Sequence, residues 1–296
     1  MSTTETVSPR YADIDDWSAA DLVQGLIEAQ YGAIAAAQAA QGAIARAVDL
    51  AAARLGAGQG RLIYLGAGTS GRIATQDCVE LRPTFNWPDA RALVLMAGGD
   101  KAFLRAREGA EDNEQDAVKA LDAAGVGPDD VVIGVAASGR TRFTIAGLHR
   151  ARVEGALTVG LYNNPGAPMA EACDLPVLLD TGAEFLAGST RLKAGTAQKV
   201  ALNAFSTALM IRLGYVHRGL MVEMRPTNAK LNARALAMVA ELTGAEPTAA
   251  AAALTAAGGS VKLATLMLAR GLGLAEAEAV LAAAGGRLRD ALAAGS

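Results

Sequence analysis

Three short stretches of this 296-residue chain bring glycines, hydroxyls and the start of a helix together. The first, Gly66-Ala67-Gly68-Thr69-Ser70-Gly71, follows the apolar run Leu62–Leu65. The second, Ala136-Ala137-Ser138-Gly139-Arg140-Thr141, follows Val131–Val135. An apolar run, a glycine turn and an apolar-periodic segment read as strand, loop and helix. Glycine lets the backbone turn sharply and approach a ligand. The first N–H groups of a helix lack intrahelical partners and favour an anion. Thr69 and Ser70 add hydroxyl donors in the first loop; Ser138 and Thr141 add them in the second, beside the guanidinium cation of Arg140. Either loop alone fits a plain helix cap equally well, but two at one sheet edge favour a sugar-phosphate or nucleotide site. The nucleotide patterns fit poorly. Neither loop ends in Gly-Lys-Ser/Thr, and Asp100, beyond Gly98-Gly99, comes later than the roughly 20-residue spacing of a dinucleotide fold. The third stretch, Gly188-Ser189-Thr190-Arg191-Leu192-Lys193, adds two candidate anion-holding cations, Arg191 and Lys193. By itself it reads as a capped helix with a basic face.

The elements that must position these loops form an α/β alternation. Short apolar runs predict strands at 61–65, 91–96, 130–136, 156–162 and 175–179, and their continuous hydrophobicity fits strands covered on both faces of a parallel sheet. Helical segments are expected around 71–82, 100–109, 113–123 and 141–153. The result is a doubly wound parallel sheet, in which ligands sit beyond the carboxyl ends of the strands. Residues 1 to about 10 read as a loose tail. Ser18 and Asp21 have capping spacing and open a helix to about Ala37, with a second to about Leu55. A long helix follows over 190–213, then a polar segment over 219–232. From Ala233 onward the chain is Ala-rich and helical. Ala256-Ala-Gly-Gly259 and Ala283-Ala-Gly-Gly286 each end one helix and open another, giving a bundle of three or four short helices. The expected domains are 1–55 (tail and helices), 56–218 (α/β core) and 219–296 (small helical domain).

Composition narrows the function. Net charge is −3, which offers no nucleic-acid surface. Cys78 and Cys173 form no disulfide framework or metal motif, and with two histidines, His149 and His217, a metal site is not expected. The polar start of the chain lacks a signal-peptide core, and no run of about 18 apolar residues occurs, so a cytoplasmic protein away from membranes is expected.

Several of these motifs together resemble the N-acetylmuramic acid 6-phosphate etherase family. They are Gly66–Gly71, Ala136–Thr141 and Gly188–Lys199, with Arg107-Glu-Gly-Ala-Glu-Asp112 and Met221-Val-Glu-Met-Arg-Pro-Thr-Asn-Ala-Lys-Leu231. The likeness runs from about Ala12 to the C-terminal helices. The long third motif is specific to the family, whereas the first two are shared by sugar isomerase (SIS) domains generally. The resemblance implies an SIS domain between N-terminal helices and a C-terminal helical domain, a homodimer, and no metal or cofactor. It also implies cleavage of the lactyl ether of N-acetylmuramate 6-phosphate to N-acetylglucosamine 6-phosphate and D-lactate. By position it makes Glu80 and Glu111 the catalytic carboxylates, Glu80 as proton donor to the leaving lactate and Glu111 as candidate base at the sugar's C2. Gly68, Thr69, Ser70, Ser138, Gly139, Arg140, Thr141, Ser189, Thr190 and Lys193 become the substrate-binding residues. This chain departs from the family at Glu80-Leu-Arg-Pro-Thr84, where Glu-Cys-Pro-Pro-Thr is usual. It departs again at Tyr162-Asn-Asn-Pro165 in place of Ser-Cys-Asn-Pro, and at Ala187 in place of Thr. An aldose–ketose isomerase and a non-catalytic sugar-phosphate sensor, both on the same fold, are the alternatives.

The reaction itself calls for two such groups. In the open-chain aldehyde the carbonyl acidifies the C2 proton; a base removes it and an acid protonates the C3 ether oxygen, work suited to paired carboxyls. Gly71 to Glu80 spans nine residues, about 14 Å of helix, too far for one sugar phosphate to touch both. The phosphate is therefore expected mainly at Ser138–Thr141, with Glu80 reaching the site across a dimer interface. His149 and His217 are expected to be structural or at the surface.

Overall fold

The computed structural model describes residues 2–56, 58–105, 107–226 and 228–294. The chain divides into two compact units, Met1–Val79 with Asp89–Thr207 and Glu80–Pro88 with Ala208–Ser296.

The first unit opens with α1 (Ala19–Ala29), α2 (Tyr31–Ala39) and α3 (Gln41–Gly56). Ser18 Oγ caps α1 by accepting from the amide of Asp21 at 3.2 Å. The two helices expected before residue 55 are thus three. At the first break, Gln30 turns its side chain to accept from Thr196 Oγ1 at 2.7 Å, a long-range contact invisible to local periodicity. The α/β core then alternates β1 (Leu62–Gly66), α4 (Gly68–Phe85), β2 (Ala92–Met96), α5 (Lys101–Leu104), α6 (Glu114–Ala124), β3 (Val131–Val135), α7 (Arg142–Val153), β4 (Leu157–Tyr162), α8 (Met169–Ala172), β5 (Leu175–Leu178) and α9 (Lys193–Arg212). The helix expected over 100–109 shrinks to one turn, because Arg72 takes the carbonyls of Ala102 and Phe103 at 2.9 and 3.1 Å and Arg105 is extended.

All five strands are parallel, in the order β2-β1-β3-β4-β5. The three central strands β1, β3 and β4 are buried along their whole length, while the edge strands β2 and β5 are partly exposed. That is what continuous apolar runs at the centre require. On one face Ile63, Leu65 and Val132 form a core with Phe143 and Leu148 of α7. Alternation turns Tyr64 to the other face, where its hydroxyl donates to Asp77 of α4 at 2.8 Å and Ser206 of α9 donates to the same carboxylate at 3.1 Å. Burial pushes the Asp77 carboxyl up, against the two hydroxyls that hold it down.

The lower ends of β1 and β3 are tied by Arg61 and Asp130. Asp130 accepts from the Arg61 amide at 2.8 Å and from its guanidinium at 2.6 and 3.1 Å, while Arg61 also reaches the carbonyls of Ala124 and Gly125. Burial alone would raise the Asp130 carboxyl; the Arg61 guanidinium and amide and the Gly127 amide outweigh it and hold the group below its usual range.

The expected loose tail is ordered instead. Single 3₁₀ turns occupy Thr3–Glu5, Pro9–Tyr11 and Ile14–Asp16, and Thr4 is fully buried. Its anchors lie more than 150 residues away, so composition reads only its polarity.

The second unit holds α10 (Ala229–Thr243), α11 (Pro247–Ala256), α12 (Val261–Arg270), α13 (Leu274–Ala283) and α14 (Leu288–Ala293), five helices against the three or four expected. Both Ala-Ala-Gly-Gly repeats end a helix as expected, with all four glycines at positive φ. Val239, Val261, Ala264 and Leu266 are among its core residues, and Trp87 meets Tyr215 in a tilted contact with ring centroids 5.6 Å apart. Lys262, 3% exposed, is buried facing Glu223, with the Tyr215 ring 5.6 Å from its ammonium. Among the described residues no single helix is long and apolar enough to cross a membrane.

The Arg61–Asp130 tie gives a pH-dependent prediction. A carboxylate whose pKa is depressed on folding contributes stability above its unfolded pKa and loses it as pH falls through the folded value. Asp130→Asn should cost about 1.5–3 kcal/mol at pH 7 by loss of charge-assisted hydrogen bonds. The gap from wild type should narrow in thermal melts taken at a pH below the usual carboxylate range. An equal gap at both pH values would remove the ion pair from the account.

Candidate active site

The β1–β3 pairing sets Gly66 opposite Val135. The first two hydroxyl loops therefore leave neighbouring strands side by side. They flank the point where the chain steps from β1 out to β2 and returns on the other side as β3, the switch point where such sheets bind ligands.

In the first loop α4 begins at Gly68 itself, with φ +54°, and Gly71 N donates to Ala67 O at 3.0 Å. Helix geometry leaves the amides of Gly68, Thr69 and Ser70 without intrahelical partners. The tight turn depends on Gly71: a Cβ there would stand 2.4 Å from Met96 Sδ and 2.9 Å from the backbone of Gly66. Gly68 is exposed, Thr69 half-buried and Ser70 buried.

In the second loop Ser138 does not cap α7. Its Oγ accepts from the amide of Arg140 at 3.1 Å, and Thr141 takes the cap position without a side-chain hydrogen bond to the helix. The Thr141 hydroxyl is thereby left for something other than the helix. Gly139, at φ +61°, sits where a Cβ would meet Ala167 at 2.5 Å. Ser138 and Thr141 are half-buried and Arg140 is exposed.

The third loop differs. The fully buried carboxylate of Glu184 accepts from the amides of Lys193 and Ala194, both at 2.9 Å, so the start of α9 already holds an anion from its own chain. Lys193 is 9% exposed and donates its ammonium to the carbonyl of Thr181 at 3.0 Å. Its side chain serves that turn. Burial lowers its pKa and raises that of Glu184, each opposed by the other's charge. Ser189 and Thr190 are half-buried. The base of this loop meets the first: a Cβ at Gly195 would lie 3.2 Å from Ile73 and 3.8 Å from Thr69.

A cavity of about 190 Å³ opens beside the first loop, lined by Gly68, Arg72, Arg107, Glu108 and Glu111 among others. It is smaller than the roughly 300 Å³ and more of typical ligand pockets, room for part of a sugar phosphate. Glu111 is exposed in the single 3₁₀ turn Ala110–Asp112, reached through Gly109 at φ +72°. The fold thus gathers Glu111 with Gly68. Glu80 is exposed near the end of α4 and belongs to the other unit. His149 is at the surface, where its Nδ1 lies 3.4 Å from Arg152. His217 sits in a bridge with Leu220, its pKa lowered by burial and by Arg289 and Arg218. Sequence reading passed over Arg72 and Arg107 on this wall. Arg107 opens the Arg-Glu-Gly-Ala-Glu-Asp motif, a usable signal, whereas Arg72 follows Gly71 with no signature of its own.

The glucokinase regulatory protein N-terminal SIS domain family matches residues 43–152, and the SIS domain family matches residues 113–208. The N-acetylmuramic acid 6-phosphate etherase of Deinococcus radiodurans is 53% identical over 289 residues, covering 98% of this chain and 94% of the relative. Those of Rubrobacter xylanophilus and Mycolicibacterium smegmatis are 47% and 45% identical, over 98% and 99% of the chain and 95% and 98% of the relatives. Among solved structures, a phosphoheptose isomerase from Francisella tularensis shares the fold at a TM-score of 0.50 and 18% identity, over 65% of this chain and 98% of that one.

The uncommitted Thr141 hydroxyl and the Ser138 loop predict that Ser138→Ala and Thr141→Val each weaken a bound phosphate dianion by about 1.5–3 kcal/mol, the range for hydrogen bonds to charged groups. KM for a 6-phosphosugar should rise accordingly while melting temperatures stay near wild type. Unchanged affinity in both variants would place the phosphate elsewhere.

Proposed function

The chain belongs to the N-acetylmuramic acid 6-phosphate etherases, and from that membership we infer its reaction and the residues that carry it. It is a carbon–oxygen lyase of amino sugar recycling. It cleaves the D-lactyl ether of N-acetylmuramic acid 6-phosphate, giving N-acetylglucosamine 6-phosphate and D-lactate. The near-full-length identity of 53% to an etherase is the observation that carries this reading.

We assign the phosphate to the start of α7, with Ser138, Gly139, Arg140 and Thr141, and the sugar to the side of Gly68, Thr69, Ser70 and Glu111. Two observations support that order. The start of α9 is filled by Glu184, whereas Thr141 leaves its hydroxyl uncommitted at the start of α7. Glu111 lines the cavity that Gly68 also lines. Ser189 and Thr190 close the site from the third loop. Lys193 contributes through the turn it holds at Thr181.

The chemistry then follows from proton bookkeeping. With the sugar open, Glu111 removes the C2 proton and the electron pair delocalises onto the C1 carbonyl. Glu80 protonates the C3 ether oxygen as the C3–O bond breaks, and D-lactate leaves with that proton. The product is an unsaturated aldehyde with a double bond between C2 and C3. Water then adds its oxygen to C3 and a proton returns to C2, restoring the sugar. No redox partner is needed.

Twelve residues of α4 separate Gly68 from Glu80, about 18 Å of helix. Glu80 is accordingly assigned to the site of a second copy. A surface for that copy is at hand on α1 and α2: Val23 and Ile27 of α1 are 56% and 61% exposed, and Tyr31 and Ile34 of α2 are 71% and 51% exposed. Apolar exposure of this kind marks an association surface. A cytoplasmic setting fits the two cysteines, both free and buried, their thiols pushed up by burial to about 12 (Cys78) and about 11 (Cys173).

Incubation with N-acetylmuramate 6-phosphate should release D-lactate. Glu111→Gln should abolish exchange of the C2 hydrogen with deuterated water, while Glu80→Gln should stop lactate release and leave that exchange running. Each loss should fall in the range of about 10²–10⁴-fold typical of general acid–base groups. Mixed dimers of the two variants should recover part of the activity. NMR of the C2 hydrogen beside a lactate assay reads all of this. Exchange lost in the Glu80 variant and kept in the Glu111 variant would reverse the roles, and no recovery in proven mixed dimers would put both carboxylates in one subunit.

A further inference from the structure

The first residues of the chain lie against two of the loops that the proposed site uses. Asn164, two residues after β4 and 2% exposed, accepts at Oδ1 from Ser2 Oγ at 2.5 Å, Thr3 Oγ1 at 2.9 Å and the amide of Thr4 at 3.2 Å. Its Nδ2 donates to Thr4 Oγ1 at 3.1 Å and to the carbonyl of Ala137 at 2.9 Å, the residue immediately before Ser138. On the other flank the amide of Gly188 donates to the carbonyl of Thr4 at 2.8 Å. Gly188 has φ +77°, and a carboxylate oxygen of Glu5 lies 2.8 Å from where its Cβ would stand. Farther along, the rings of Tyr11 and Trp17 close on Phe185 with centroids at 4.5 and 6.1 Å. One planar amide thus has its acceptor on the chain's first residues and a donor on the phosphate loop. A buried amide that loses half its partners leaves that half desolvated and unpaired, which is costly, so loop and segment are set together.

We propose that Asn164 and the Ser2–Glu5 segment form a positioning clamp for the sugar-phosphate site. Through Ala137 the clamp fixes the carbonyl from which the Ser138 loop departs. Through Gly188 it fixes the start of the Ser189–Thr190 turn. Neither Thr4 nor Asn164 touches substrate; both act by holding hydroxyls that do. This inference rests on the placement of the phosphate at Ser138–Thr141.

The test compares Thr4→Val, Thr4→Ser and Asn164→Asp with wild type. Thr4→Val keeps the shape and removes the hydroxyl, Thr4→Ser keeps the hydroxyl, and Asn164→Asp keeps the acceptor while replacing the donor to Ala137. KM and kcat for lactate release are read beside the affinity for inorganic phosphate and the melting temperature. Thr4→Val and Asn164→Asp should raise KM and weaken phosphate about tenfold each, the weight of one hydrogen bond of about 1.4 kcal/mol, with kcat little changed. Thr4→Ser should restore wild-type values. Because Thr4 is fully buried, the double variant Ser2→Ala with Thr3→Ala, at a half-buried and an exposed position, is measured alongside and should move KM in the same direction. Variants that melt earlier yet keep wild-type KM and phosphate affinity would overturn the clamp and leave the lyase standing. A wild type that neither releases lactate nor binds phosphate would overturn the phosphate placement and the clamp with it.

Discussion

Everything at this site depends on the register of β1 against β3. Gly66 opposite Val135 brings two glycine-hydroxyl turns out of the sheet side by side, and the strand order makes that gap the switch point. The register is secured at both ends. Below, Asp130 takes the Arg61 amide and guanidinium together. Above, Gly71 folds back on Gly66 so closely that any side chain would strike the Met96 sulfur. A one-residue slip would turn Tyr64 from its Asp77–Ser206 network onto the opposite face, where Ile63 and Leu65 belong to the core. Parallel strands leave little room for such a slip, since both faces are buried.

The same constraint explains how much the sequence disclosed. Strands buried on both faces must be short, continuous and apolar, so their limits are legible to within a residue or two: the pattern predicts 130–136 and the strand is Val131–Val135. The glycine turns were legible because close approach and positive φ leave few other residues possible. What local pattern cannot carry is a partner far along the chain. The polar start of the chain reads as a tail, since its anchor Asn164 is some 160 residues away. Lys193 reads as a cation near an anion site, since nothing nearby betrays Glu184 nine residues earlier filling the helix start. The helix expected over 100–109 fails for the same kind of reason, its carbonyls being claimed by Arg72.

The departures from the family pattern also sort by burial. Leu81, beside Glu80, is 2% exposed. Asn163 is fully buried, donating to the carbonyl of Leu179 at 2.9 Å and accepting from Gln198 at 2.9 Å. Both belong to the scaffold, so substitution there changes how the frame is packed. Ala187 is exposed next to Gly188, and Arg82 is exposed beside Leu81.

The proposed reaction is an elimination at C2–C3 followed by addition of water, carried out on the sugar side of the ether. Oxygen isotopes test it most directly. Turnover of N-acetylmuramate 6-phosphate in ¹⁸O-labelled water should place the heavy oxygen on C3 of the N-acetylglucosamine 6-phosphate, with none in the hydroxyl of the released D-lactate. Label in that lactate hydroxyl, with an unlabelled sugar, would mean cleavage of the bond on the lactyl side and would contradict the account.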